Sequence, residues 1–106
     1  MIANNERIRA LNDELRQHLI GGLAVITPGV AALGPDAVER IVKTIAVFDD
    51  FCHQNDPHEE HDFGSFDVDG HEILFKIDLY EEPDVKDANR EPVITRVLTL
   101  MSAEEC

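Results

Sequence analysis

The segment His53-Gln-Asn-Asp-Pro-His-Glu-Glu-His-Asp62 is the densest run of potential metal ligands and proton-transfer groups in the chain. His58 and His61 stand three residues apart, and Glu59, Glu60 and Asp62 lie beside them. Imidazole and carboxylate together suit zinc or another divalent ion, so His58, His61 and Asp62 form one candidate ligand set. The spacing matches no defined zinc pattern. His58-Glu59-Glu60-His61 lacks one residue of the helical HExxH arrangement. A solvated acidic loop with incidental histidines is the plainer reading, and no cofactor is expected.

A second arrangement would carry acid–base chemistry. Val68-Asp69-Gly70-His71 joins two strand-like runs, and Asp-Gly in that setting favours a two-residue hairpin turn. Antiparallel pairing about that turn sets residue 61 opposite residue 78, which makes His61 and Asp78 cross-strand neighbours with Asp62 alongside. His61, Asp62 and Asp78 could then exchange protons with a substrate. A His–Asp pair that only fixes the hairpin register explains the same residues, and is preferred. Asp67-Val-Asp-Gly70 also mimics the start of a calcium loop, but His71 and Asp78 fall where further acidic ligands belong and the glycine comes two residues early. No serine or cysteine has a nucleophile motif around it, and no glycine-rich phosphate loop is present. Cys52, at the end of an apolar helix, is expected to be a small core residue.

The third feature is charge. Fifteen of the 22 acidic residues lie between Asp49 and Glu91, against three bases, for a formal charge of −12 in that stretch. Residues 1–48 carry five acids and five bases. A solubility charge need not be segregated in this way, so the acidic stretch reads as a surface for a basic partner. The residues expected to meet it are Asp56, Glu59, Glu60, Asp62, Asp67, Asp69 and Glu72, with Glu81, Glu82 and Asp84 as a second cluster. The acidity disfavours direct binding to nucleic acid and docking on anionic membranes.

The elements that must position these groups follow from periodicity. Residues 4–19 read as an amphipathic helix, with Ile8, Leu11, Leu15 and Leu19 on one side and Arg7, Arg9, Arg16, Glu6, Asp13 and Glu14 on its outer surface. Gly21-Gly22 stops it. Leu23–Thr27 reads as a short buried strand closed by a Pro28-Gly29 turn, and Val30–Leu33 continues it or leads into the next helix. Residues 36–51 make a second helix with Val38, Ile41, Val42, Ile45, Phe48 and Phe51 in a broad apolar stripe. After a polar loop at 52–60 come the hairpin, an acidic loop at 81–91 and a last strand from Val93 to Met101. A chain of 106 residues with this order is expected to be a single α+β domain, its antiparallel three- to four-stranded sheet covered on one face by two helices. Two cysteines make no disulfide framework, and no secretory leader or membrane-spanning run is visible, so a cytoplasmic location is expected.

Arg7-Ile-Arg-Ala-Leu-Asn-Asp13, Gly29-Val-Ala-Ala-Leu33, Phe48-Asp-Asp-Phe51, Asn55-Asp-Pro57, Glu60-His-Asp-Phe-Gly64, Val68-Asp-Gly70, Lys76-Ile-Asp78 and Thr95-Arg-Val-Leu-Thr99 carry a resemblance over nearly the whole chain. In these motifs it resembles an uncharacterised bacterial family, a domain of unknown function seen mainly in alphaproteobacteria and often on plasmids and other mobile DNA. That resemblance implies no activity. Two positions depart from it: Cys106 stands where an aromatic follows the paired glutamates, and His58-Glu59 stands where an aromatic and a small residue are usual. These departures argue against a role for the C-terminus and for His58. Taken with the segregated charge, the association with mobile DNA suggests a small non-catalytic protein. It would act as a DNA mimic, inhibiting a CRISPR effector or a restriction enzyme. The alternative is a metal-assisted or acid–base enzyme centred on His61, Asp62 and Asp78.

Overall fold

The computed structural model describes residues 4–52, 54–86 and 92–105, without the side chains of 83–86 and 92. It is an α+β domain: α1 (Asn4–His18), β1 (Leu23–Ile26), α2 (Pro28–Ala31), α3 (Pro35–Val47), β2 (Phe63–Val68), β3 (His71–Lys86) and β4 (Pro92–Ser102), closed by a 3-10 turn at Ala103–Glu105. The four strands form one sheet in the order β1-β4-β3-β2. The two hairpin pairings are antiparallel, but β1 runs parallel to β4, so the sheet is mixed rather than wholly antiparallel. No helix among the described residues is long and apolar enough to cross a membrane.

The Asp-Gly turn sets the register as its chemistry requires. Asp69 and Gly70 both have positive φ, +55° and +82°, the pair of left-handed residues that a type I′ turn needs. Val68 pairs with His71 and Phe63 with Lys76. This alternation gives Ile73, Phe75 and Ile77 to the core, where they meet Val68, Leu98 and Leu100 from the neighbouring strands. Leu15 of α1, Val30 of α2, and Ile41 and Ile45 of α3 complete the cluster. Phe48 lies at its edge, with ring centroids 5.0 Å from Phe51 and 5.3 Å from Phe75. A Cβ on Gly64 would come within 2.5–2.8 Å of the Phe48 and Phe75 rings, so only glycine lets the strand lie this close.

Several sequence expectations are corrected. Leu23–Ile26 is not buried: all four residues are exposed, because β1 is the edge of the sheet. An apolar run cannot by itself tell an edge strand from a central one. The following residues form the one-turn helix α2, capped by the Thr27 hydroxyl. Helix α3 ends at Val47, not residue 51; Phe48 takes an extended conformation and Phe51 enters a loop. Strand β3 continues to Lys86, so Glu81 and Glu82 pair with Ile94 and Val93 instead of lying in a loop. Cys52 is exposed, not a core residue.

The C-terminal turn is tied back to α2. The Glu105 carboxylate accepts hydrogen bonds from the Thr27 hydroxyl (2.6 Å), the Gly29 amide (3.0 Å) and the Ser102 amide (2.9 Å). These donors, the Thr27 hydroxyl foremost, hold the carboxyl below its ordinary value. A depressed folded-state value gives a contribution that is present above the unfolded value and disappears as pH falls through the folded one. Glu105→Gln is therefore expected to lower Tm slightly at neutral pH, and the gap to the native chain should narrow progressively as pH falls below the ordinary glutamate value of about 4.3. Thermal melts across that range check it; a gap that widened in acid would contradict the assignment.

Candidate functional site

The loop from Asp49 to Asp62 is the longest segment without regular structure among the described residues, and α1 holds it. Arg9 Nη1 donates to Glu59 O (3.0 Å) and Asn12 Nδ2 to Glu60 O (2.9 Å). Asn12 in turn accepts from Arg96 Nε of β4 at 2.7 Å. Burial lowers the Arg96 guanidinium from its ordinary value, since the Asn12 amide that it donates to is neutral and brings no opposing charge. One turn along α1, Arg16 is only 3% exposed. Its Nη1 donates to Ile45 O (2.8 Å) and Phe48 O (2.6 Å), and its Nη2 to Asp13 Oδ1 (3.0 Å). The guanidinium thus adds a second donor to Ile45 O, which also accepts from the Phe48 amide at 3.3 Å, and satisfies the carbonyl of Phe48 just past the end of α3. Sequence reading put Arg16 and Asp13 on the solvated face of α1. Instead Arg16 is buried and Asp13 half-buried, because the 48–62 loop folds over that face.

Within the loop the organiser is Asp56, 4% exposed. Its Oδ1 accepts from the amides of Glu60 (2.9 Å) and His61 (3.1 Å). Glu59 and His61 both sit at φ +55°, a conformation that costs a residue with a Cβ roughly 1–2 kcal/mol. Asp56, Arg9 and Asn12 hold the backbone there between them. The Asp56-Pro57 sequence, an aspartate that can accept from backbone amides four and five residues on, was the available signal for this role.

The left-handed backbone at His61 removes it from the hairpin. Strand β2 begins at Phe63, and Asp62 makes the last ladder contact, accepting from Ile77 N at 2.9 Å. The His61 ring turns away from Asp78. It stacks on Phe51, with centroids 3.8 Å apart and planes 4° from parallel, and places Nδ1 2.8 Å from Asp13 Oδ1 and Nε2 3.6 Å from Asp56 Oδ2. Asp78 instead lies 3.3 Å from Lys76 Nζ. The expected His61–Asp78 pair does not form. The carboxylates that do reach His61 are Asp13 of α1 and Asp56 of its own loop. A cleft of about 220 Å³ opens here, lined by Arg9, Phe51, Cys52, Asp56, Glu59 and His61.

The structure does not bring His58, His61 and Asp62 together. His58 is exposed beside Pro57 and the start of α1, whereas Asp62 faces a separate hollow with Asp78 and Arg96. Among the described residues, no three His, Cys, Asp or Glu side chains gather into a metal-holding group.

The remaining acids divide into engaged and free. Asp56 is consumed by the loop. Asp69 forms a two-nitrogen contact with Arg40, whose guanidinium this bond raises above its ordinary value. Glu59, 71% exposed, lies 3.9 Å from Arg9. Asp67 and Glu72 stand directly opposite each other across β2 and β3, both exposed, and neither forms a salt bridge among the described residues. They line a groove with Phe48, Asp50, Ser65 and Phe66. Glu81 and Glu82 are exposed further along β3, and the Asp84 side chain, like His53, lies outside the described residues.

The model of a family described as a protein of unknown function (DUF3768) matches residues 26–105. The chain belongs to this family. No curated protein and no solved structure matches it. The DUF3768 match takes in the loop, Phe51, Asp56, His61 and the whole acidic hairpin. The side chains of α1 that clamp the loop fall outside the matched range.

Proposed function

We propose that this chain is a small, non-catalytic, cytoplasmic interaction protein that acts as a DNA mimic: its acidic hairpin and loop occupy a basic, nucleic-acid-binding surface of a defence system such as a CRISPR effector or a restriction enzyme. The observation that carries the reading is the Asp67–Glu72 pair. Like charges set directly opposite on neighbouring strands destabilise a sheet, and among the described residues no base forms a salt bridge with either of them. A solubility charge placed anywhere else on the surface would avoid that cost, whereas a ligand for a cationic groove needs closely spaced anions. Asp50 in the same groove, Glu59 and Glu60 on the clamped loop, Asp62, and Glu81 and Glu82 along β3 extend the surface. Asp69 joins it as half of an ion pair, and Asp56 drops out because its carboxylate is buried.

The dimensions support the same reading. The protein is 46 Å long. A duplex of that length carries on the order of 27 phosphates at one charge per ~1.7 Å, against a formal charge of −12 in the acidic stretch. The charge density is about half that of DNA, enough for steered and salt-sensitive association with a phosphate-binding channel.

The test is capture on the immobilised protein from a lysate containing CRISPR and restriction systems, with low-salt and then high-salt washes. The expected eluate is a basic nuclease or DNA-binding complex that salt releases and added duplex DNA displaces. An empty bait, or a partner indifferent to both salt and DNA, would overturn the proposal.

A further inference from the structure

The edge of the sheet opposite the acidic hairpin has its own unexplained surface. Leu19, Ile20, Leu23, Val25 and Ile26 are each 41–57% exposed and lie together at and just before β1. Thr27 N donates to Leu100 O of β4, so strand alternation directs the N–H and C=O groups of Ala24 and Ile26 away from the sheet. Among the described residues no strand pairs with that side. Natural edge strands are usually blunted by lysine, proline, a bulge or an inward charge. Leu-Ala-Val-Ile has none of these, and only its four-residue length limits it.

We infer that β1 pairs with β1 of a second copy of this chain, antiparallel about a two-fold axis at Val25, to give an eight-stranded sheet. Ala24 and Ile26 of each chain then exchange hydrogen bonds with Ile26 and Ala24 of the other, and the apolar side chains cover each other. An apolar edge is complementary to itself, as an isologous contact requires. Charge identifies the occupant. Residues 1–48, which contain β1, α1 and α3, carry five acids and five bases, so two copies can approach here without stacking acid on acid. The cationic partner suited to the hairpin has nothing to bind at this edge. In the paired sheet the two β2 strands lie seven strand spacings apart, roughly 33 Å, or about three Debye lengths at ~0.1 M salt. The acidic surfaces therefore remain open and hardly repel each other.

Sedimentation equilibrium of the whole chain over a range of concentrations tests this. The native chain should reach twice its monomer mass, and added salt should not weaken the association, because apolar side chains and backbone hydrogen bonds rather than ion pairs hold it. Val25→Lys, which puts a cation on the axis, should be monomeric. Ala24→Pro removes an outward N–H that makes no bond to β4, so the fold survives and dimerisation weakens by about thirtyfold, the equivalent of two backbone hydrogen bonds at their usual net value. Circular dichroism establishes that each variant is folded. A native chain that stays monomeric overturns the inference, as does a folded Ala24→Pro that dimerises like the native chain or an association that salt weakens.

Discussion

Arg16→Met is expected to lower the unfolding free energy by about 3–5 kcal/mol, a large part of what a domain of this size possesses. Methionine fills similar space but donates nothing, so the carbonyls of Ile45 and Phe48 lose the donor they share at 2.8 and 2.6 Å. Ile45 O keeps the Phe48 amide at 3.3 Å, but the buried Phe48 carbonyl is left open, at a cost of about 1–3 kcal/mol. Asp13 simultaneously loses the cation 3.0 Å away and keeps only His61. The damage should extend from the end of α3 into the loop, because Phe51, whose ring lies 5.3 Å from the guanidinium carbon, is held by Arg16 above and by the His61 stack. Arg16→Lys restores the charge without the planar fork and should recover only part of the loss. In urea the midpoint should fall by roughly 2 M, given a slope of about 1–3 kcal/mol/M. If both variants unfold within about 1 kcal/mol of the native chain, the guanidinium is not what closes α3 onto the loop.

The contrast between Arg16 and the Asp-Gly turn shows which parts of the structure could be seen in the sequence. Asp69-Gly70 carries its conformation in two adjacent residues, so the turn and the register were legible; of the residues that alternation sets on one face, Ile73, Phe75 and Ile77 are buried but Leu79, further along β3, is exposed. Helical spacing likewise gave α1 and most of α3. Arg16 was misread because local spacing says which side of a helix a residue occupies, not what folds over that side 30 residues later. His61 was misplaced for a related reason. Pairing arithmetic carries the ladder to residue 62, but the positive φ at 61 is imposed by Asp56, Arg9 and Asn12, two of which lie about 50 residues away in the chain. The parallel pairing of β1 with β4 joins segments more than 70 residues apart and has no local signature at all.

Replacing Asp67 by asparagine and Glu72 by glutamine together is expected to move stability and binding in opposite directions. The fold should gain about 0.5–1 kcal/mol, since a repulsive cross-strand pair becomes neutral while the strand, the register and the groove are kept. Association with the captured basic partner should slow by about tenfold or more, and its dependence on salt should flatten, because two closely spaced anions have left the surface that steers the encounter. Thermal melts and association rates at two ionic strengths read both effects on one protein. Arg40→Ala gives the complementary case. It frees Asp69 from its two-nitrogen contact and adds an unpaired anion beside the same hairpin, so it should quicken association while costing little stability, as exposed ion pairs usually do. A structural purpose for the acidic pair would require the neutral double variant to be less stable than the native chain, since nothing but their mutual geometry would then explain the two carboxylates. A surface kept for a partner requires it to be more stable and to bind more slowly. The sign of the stability change therefore separates the two explanations even before the partner is identified.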